Sequence, residues 1–289
     1  MLLQEIRRDF RDMTRCREFY FSCLLSTALV FVPLFLSLFT FYQKDIVYIE
    51  PAYLYWGADG TGYYWNTTYS PTTTLSSTAN TILLMYILPF LAPLAYSYRI
   101  FDDRKSGAVQ AVLPRTGRRA YYLGNVTVAF LGAFLAVLGP LVLEQLVFLI
   151  ACPASIPNMV TDAPVQDTYL QTFGNTAGGP LNALQLNHPY LFNLLFCLLP
   201  AVLAGLFGAV CALVSLFIKR SRFAVLTGAG IVWLLAGLAV GILNQRLSPH
   251  ASVLTRGNLA VFPVVAGALA LLCAVLGCLA KRQVKDVIL

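Results

Sequence analysis

The sequence is poor in charged residues: only 11% of its 289 positions are Asp, Glu, Lys or Arg, whereas 58% are hydrophobic. An average soluble domain is about 25% charged, so most side chains here must face something other than water. This composition excludes an ordinary soluble domain. It predicts an all-α protein that crosses a membrane several times.

Groups that could carry catalysis inside a membrane are scarce. Glu144 is the only acidic residue in any predicted span, and the two histidines, His188 and His250, lie in or beside predicted outer loops. Intramembrane hydrolysis needs paired carboxylates, a nucleophile with a base, or metal-bound histidines. A phosphate-binding GxxxxGK[ST] loop is also missing. We therefore predict no catalytic residues, and ATP hydrolysis is not expected of this chain.

The cysteines follow no metal-binding or disulfide pattern. Neither CxxC nor a Cys/His spacing occurs, and most of the seven lie in apolar runs, where cysteine behaves as a small hydrophobic residue. We predict no metal site and no cofactor bound to this chain. The net charge of +7 beside membrane spans indicates topology rather than nucleic-acid binding. The seven are Cys16, Cys23, Cys152, Cys197, Cys211, Cys273 and Cys278.

Six long apolar runs are present. A helix rises about 1.5 Å per residue, so about 20 residues cross the roughly 30 Å hydrocarbon core. Pro89 and Pro93 predict a kinked or locally unwound second span. The predicted spans are residues 19–42, 81–98, 121–150, 190–218, 223–243 and 259–280.

Residues 1–18 predict an amphipathic helix in the membrane interface. Apolar residues recur there at spacings of three and four, and arginines occupy the other side. A solvated charged leader is the alternative. The apolar residues are Leu2, Leu3, Ile6, Phe10 and Met13, and the basic ones are Arg7, Arg8, Arg11, Arg15 and Arg17.

Basic residues orient the predicted spans. All but three of the 20 Lys and Arg lie in the N-terminal segment, in residues 99–120, in residues 219–222 and in the C-terminal segment; the exceptions are Lys44, Arg246 and Arg256. The positive-inside rule places both termini and residues 99–120 in the cytoplasm. Residues 43–79 and 151–189 are then extracytoplasmic loops. The aromatics of the first loop fit an interfacial belt or a cap over a substrate exit.

Residues 99–120 predict a docking element for another protein. A charged segment is followed by a short helix from Ala108 to Leu113 with a small apolar patch, which we expect to end at Pro114. Such a helix is suited to insertion into a groove on a partner, although a plain basic loop would have a similar sequence pattern. The docking residues would be Asp102, Asp103, Arg104, Lys105, Gly107, Val109, Val112, Leu113, Pro114 and Arg118.

The order of an acidic pair, Arg104, Gly107, Leu113-Pro114 and Arg118 resembles the loop after the second span in permease subunits of type-2 ATP-binding-cassette (ABC) exporters. Members often carry Glu-Arg and a later Lys, where this chain has Asp102-Asp103 and Asn125. The resemblance implies that this loop is a coupling helix seated in a separate ATPase subunit. It further implies a bacterial plasma-membrane transporter of two permease chains, identical or paralogous, and two ATPase subunits that bind ATP and Mg.

Two smaller predictions concern the spans. A carboxylate in a span is costly, so Glu144 is expected either at the translocation path or an interhelical partner, or at the outer interface. Small residues allow close helix approach, and Gly205, Gly208, Gly237 and Gly241 could form a permease–permease contact.

The substrate would be a peptide, lipid or hydrophobic drug. An ion-coupled carrier or channel, and a non-transporting scaffold or sensor, are the alternative functions.

Overall fold

The computed structural model describes residues 2–43, 75–151, 184, 188–218, 221–243 and 260–286. Within these ranges the regular elements are helices. In chain order they are α1 (Leu2–Met13), α2 (Arg17–Gln43), α3 (Leu75–Tyr96), α4 (Arg99–Lys105), α5 (Ala108–Thr116), α6 (Arg118–Ala151), α7 (Pro189–Val214), α8 (Arg222–Leu243) and α9 (Val261–Asp286).

Four helices are long and apolar enough to cross a membrane. These segments, Arg118–Val147, Tyr190–Val214, Arg222–Leu243 and Val261–Ala280, coincide with the last four predicted spans. They indicate a membrane protein. The other two predicted spans, 19–42 and 81–98, fall on helices α2 and α3. The predicted loops 43–79 and 151–189, including the aromatic belt, lie outside the described residues except at their helical edges.

Helix α7 forms the centre of the bundle, packing against α3, α6, α8 and α9. Its closest neighbour is α6, because glycines replace side chains where the two helices meet. A Cβ added at Gly205 would lie 2.7 Å from the ring of Phe130, and one at Gly208 would lie 2.7 Å from the carbonyl oxygen of Ala129. Such close backbone approach is how small residues strengthen packing between membrane helices.

The two prolines of α3 do not interrupt it. Both Pro89 and Pro93 are buried, and the helix runs unbroken to Tyr96. Each proline removes one backbone hydrogen bond, but packing against α2, α6, α7 and α8 surrounds this part of α3. The predicted local unwinding is therefore wrong, and the kink, its alternative, stays a prediction.

Helix α1 packs lengthwise on α6. A Cβ at Gly124 would lie 3.4 Å from Glu5 Cβ, and one at Gly132, eight residues later, would meet the sulfur of Met13, also eight residues later. Since these contacts are separated by a similar length along both helices, the two helices run side by side. The predicted helix over residues 1–18 ends at Met13, and α2 begins at Arg17.

The face of α1 differs from the predicted one. Ile6, Phe10 and Met13 pack with Tyr96 and Val128 of the bundle, instead of all facing the acyl chains. The apolar pattern identified the helix correctly. It could not locate the groove that the glycines of α6 provide. Leu2 and Leu3 are exposed, while Glu5 and Asp9 are buried.

Candidate docking site

The predicted docking loop folds into two short helices at one end of the bundle. Gly107 separates α4 from α5 with a φ of 76°, and Gly117 separates α5 from α6 with a φ of 78°. Glycine adopts such positive φ values at little cost, which explains both breaks. The prediction that the helix from Ala108 ends at Pro114 is wrong, because α5 continues to Thr116. There the amide of Gly117 donates to the carbonyl oxygen of Leu113.

The acidic residue Asp103 faces the bundle. It accepts a hydrogen bond of 2.8 Å from the hydroxyl of Tyr121 and pairs with Arg99 Nε at 3.1 Å. Arg99 also lies 3.8 Å from a carboxylate oxygen of Asp12. Asp103 thus links α4 directly to α6, and Arg99 extends the link to α1.

Two further charged contacts of α4 reach the end of α7 and the start of α8. Arg104 Nη1 donates to the carbonyl oxygen of Leu216, which follows the end of α7. Asp102 lies 3.8 Å from Arg222 Nη1 at the start of α8. The charged side chains of α4 therefore connect it to α1, α6, α8 and the segment after α7.

Arg222 has two further contacts. Its Nη2 donates to Glu18 Oε1 at 2.9 Å, and its guanidinium lies over the ring of Tyr98, 3.6 Å from the centroid. The hydrogen bond from Arg222 lowers the pKa of Glu18 below its ordinary value. Arginine suits this role because its planar group can stack on a ring while donating at its edges.

Burial, more than charge, fixes α4 energetically. The Arg222 pairs with Glu18 and Asp102 have partners that are 38–39% exposed. Exposed pairs of this kind typically contribute about 0–1 kcal/mol each. In contrast, Ile100 and Phe101 are almost completely buried. We conclude that apolar contacts hold α4 in place and that its charged contacts set its orientation.

Helix α5 is less enclosed, and none of its residues is buried. Val109, Val112 and Leu113 are half-buried on one face, and the remaining face is exposed. The predicted docking set therefore divides into two groups. Asp102, Asp103 and Arg104 contact the same chain, whereas Lys105, Gly107, Pro114 and Arg118 are exposed and Val109, Val112 and Leu113 are partly so.

A second charged cluster lies between α1 and α6. Asp9 is 3% exposed, and its Oδ1 lies 3.0 Å from Arg8, which also lies 2.5 Å from Glu5. Burial raises the pKa of Asp9 to about 6, although the hydrogen bond and charge of Arg8 act in the opposite direction. The sequence pattern gave no sign that carboxylates would occupy the buried face of α1.

The carboxylate of Glu144 is buried in the bundle, at 3% exposure. Cys197 of α7 is buried as well. Next to it along α6, Gln145 Oε1 accepts a hydrogen bond of 3.1 Å from Asn193 of α7. Glu144 is thus buried beside a contact between α6 and α7, and its role at a translocation path stays a prediction.

Gly205 and Gly208, predicted at a permease–permease contact, are covered by α6 of their own chain. They leave no surface for a second copy. Gly237 is buried and Gly241 is half-buried in the single chain. Gly230, which no sequence pattern indicated, packs against Phe90 of α3.

Sequence reasoning missed the residues that hold α4 from outside the loop. Glu18, Tyr98 and Arg222 are distant from one another along the chain, and no spacing rule connects them. The single available signal was Arg222, a basic residue at the start of a span. That position suggested topology and not contact.

The chain is distantly similar to a bacterial protein. No family model matches the chain, and no solved structure matches it. It is 25% identical over 147 residues to an uncharacterized protein, YybM, of Bacillus subtilis (strain 168). That alignment covers 50% of this chain and 54% of the relative. The chain thus spans about half the length of that relative.

Proposed function

We propose that this chain is the membrane-spanning permease subunit of an ATP-driven ABC transporter. In this proposal α2, α3 and α6 to α9 are six spans, and both termini lie in the cytoplasm with α4 and α5. The basic residues of those segments support that orientation. Two ATPase subunits would bind ATP and Mg, and a second permease chain, identical or paralogous, would complete a bacterial plasma-membrane exporter of a peptide, lipid or hydrophobic drug.

The observation that carries the proposal is the pairing of an exposed helix with a fixed one. Helix α5 has no buried residue and presents apolar side chains that are only half-covered. Helix α4, two residues earlier, contacts several elements of the bundle through Asp102, Asp103 and Arg104. A partner that moved α5 would therefore act on a helix already connected to the spans.

Energetics favour an external source of work. A partner can shift the equilibrium between two permease conformations only if its contacts differ between them. An ATPase whose shape changes with the bound nucleotide meets this condition, provided that it binds α5. The sequence contains no phosphate-binding loop of its own.

The test is co-purification of the tagged full chain from its native membrane in mild detergent, with bound proteins identified by mass. We expect an ATPase subunit to be recovered. Arg115→Asp on the exposed face of α5 should abolish its recovery, because charge reversal opposes docking there. Arg119→Asp, an identical change at an exposed position of α6, is the matched control and should retain it.

Two results would contradict the proposal. One is recovery of the chain without an ATPase although it moves solute in liposomes. The other is equal ATPase recovery with the Arg115 and Arg119 variants, which would exclude α5 as the docking element.

An ion-coupled carrier is the second candidate, and buried Glu144 is the observation that favours it. Carriers keep ionisable groups within the membrane, in protein or in wet cavities. Transport by the purified chain in liposomes, lost in Glu144→Gln, would support this function. An ABC permease should show no uphill transport without its ATPase.

A further inference from the structure

Arg222 stands at the junction of three chain segments that are far apart in sequence. It begins α8, contacts Glu18 in the first turn of α2, and contacts Asp102 in the middle of α4. Its guanidinium also covers the ring of Tyr98, the residue immediately before α4. A single side chain therefore contacts α4 both on its surface and at its beginning.

These contacts contribute little to folding but have a defined geometry. The carboxylates and the guanidinium are each more than a third exposed, so solvent weakens their attraction. The guanidinium of arginine is planar and rigid, so its contacts fix its orientation. Here Nη2 contacts Glu18, Nη1 faces Asp102, and the plane lies over the ring of Tyr98. Such a side chain orients its neighbours without being needed for the fold.

We propose that Arg222 is the positioning residue that sets α4, and with it α5, relative to α2 and α8. The positioning itself does not depend on the proposed function. Only its consequence, the transfer of motion from an ATPase, rests on that function. If an ATPase moves α5, Arg222 transmits that motion to α2 and α8. The other charged side chains of α4 contact neither of these helices. The other charged contacts of α4 reach α1, α6 and the segment after α7.

The positioning role is tested on the full chain by distances between spin labels in a cysteine-free background. One label pair joins exposed Ala111 of α5 to exposed Ile242 of α8, and the control pair joins Leu135 of α6 to Ile242. Arg222→Gln should broaden the Ala111–Ile242 distribution and leave the control distribution narrow. The melting temperature should remain close to that of the parent. Arg222→Lys, which keeps the charge, should recover much of the narrow distribution.

Two outcomes would overturn the proposal. An unchanged Ala111–Ile242 distribution in Arg222→Gln would mean that the other contacts of α4 are sufficient. Broadening of both pairs together with a large fall in melting temperature would mean that Arg222 is needed for folding and not for positioning.

A second measurement separates this inference from the proposed function. In the complex with a co-purified ATPase, an ATP analogue with Mg should change the Leu135–Ile242 distance in the parent but not in Arg222→Gln, although the ATPase stays bound. If no ATPase binds the parent chain, the proposed function fails, while the label distances of the isolated chain still decide whether Arg222 positions α4. An equal nucleotide response in both chains would remove Arg222 from the coupling path.

Discussion

Helices α4 and α5 are separated by only two residues in sequence, yet they relate to the bundle in different ways. Helix α4 buries Ile100 and Phe101 and directs four of its charged side chains to other parts of the chain. Helix α5 buries nothing. The difference shows that the charged residues of one loop can be divided between internal structure and free surface. Mutations in the two helices should therefore have different consequences.

The sharpest test compares Arg104 with its neighbour Lys105. Arg104 donates to the carbonyl oxygen of Leu216, whereas Lys105 is exposed. Arg104→Glu should lower the free energy of unfolding by about 2–3 kcal/mol, because a charge-assisted hydrogen bond is lost and a carboxylate faces a carbonyl. Lys105→Glu makes the same charge change and should remain within about 0.5 kcal/mol of the parent.

Thermal denaturation of the two variants in detergent measures this difference. Equal melting temperatures would mean that α4 is no more firmly attached than α5. That result would contradict the proposed difference between α4 and α5.

The same contrast between buried and exposed charge applies to α1, with Asp9 buried and Asp12 half-exposed. The pKa of Asp9 in the folded chain, about 6, lies above its ordinary value of 3.8. The folded state therefore holds the proton more tightly than the unfolded state. Stability should be greatest below about pH 4, fall as the pH rises to 6, and then become constant with respect to this group.

Asp9→Asn should remove this pH dependence and raise stability by about 1–2 kcal/mol at pH 8, since the neutral amide avoids burying a charge. Asp12→Asn is the control and should leave the fall between pH 4 and pH 6 intact. Melting temperatures recorded from pH 4 to pH 8 provide the measurement. A parent chain that gains stability as the pH rises through this range would show that the ion pair with Arg8 outweighs burial.

The sequence was sufficient for the parts of the fold that depend on long apolar runs. Four predicted spans coincide with four long apolar helices, and the short helix after Gly107 begins at Ala108 as predicted but ends three residues later than expected. What could not be predicted depends on contacts between distant segments. The position of α1 depends on Gly124 and Gly132, and that of Gly208 depends on Ala129. Periodicity identifies the apolar face of a helix but not the surface that covers it.

The charged loop illustrates the same limit at the candidate site. Asp103 and Lys105 look equally available in the sequence, because both are short-range neighbours in a polar segment. Only the fold brings the hydroxyl of Tyr121 within 2.8 Å of Asp103. Residues with internal partners should therefore be separated from the docking set before any interface is designed around it.

The smallest effect is expected at Gly107, where the two helices meet. Its φ is 76°, and a Cβ added there would have no atom within 4 Å. Gly107→Ala should therefore cost only the backbone strain of a left-handed residue, about 1 kcal/mol, and Gly107→Asn should cost less because asparagine tolerates that conformation. Melting temperatures of the two variants measure this order.

The same substitutions also test docking. The strain at Gly107 lies between α4 and α5, so α5 should turn away from its position while α4 stays in place. Recovery of the ATPase should therefore fall clearly in Gly107→Ala although the melting temperature changes little. Equal recovery with the alanine, asparagine and parent chains would mean that α5 docks without a fixed orientation relative to α4.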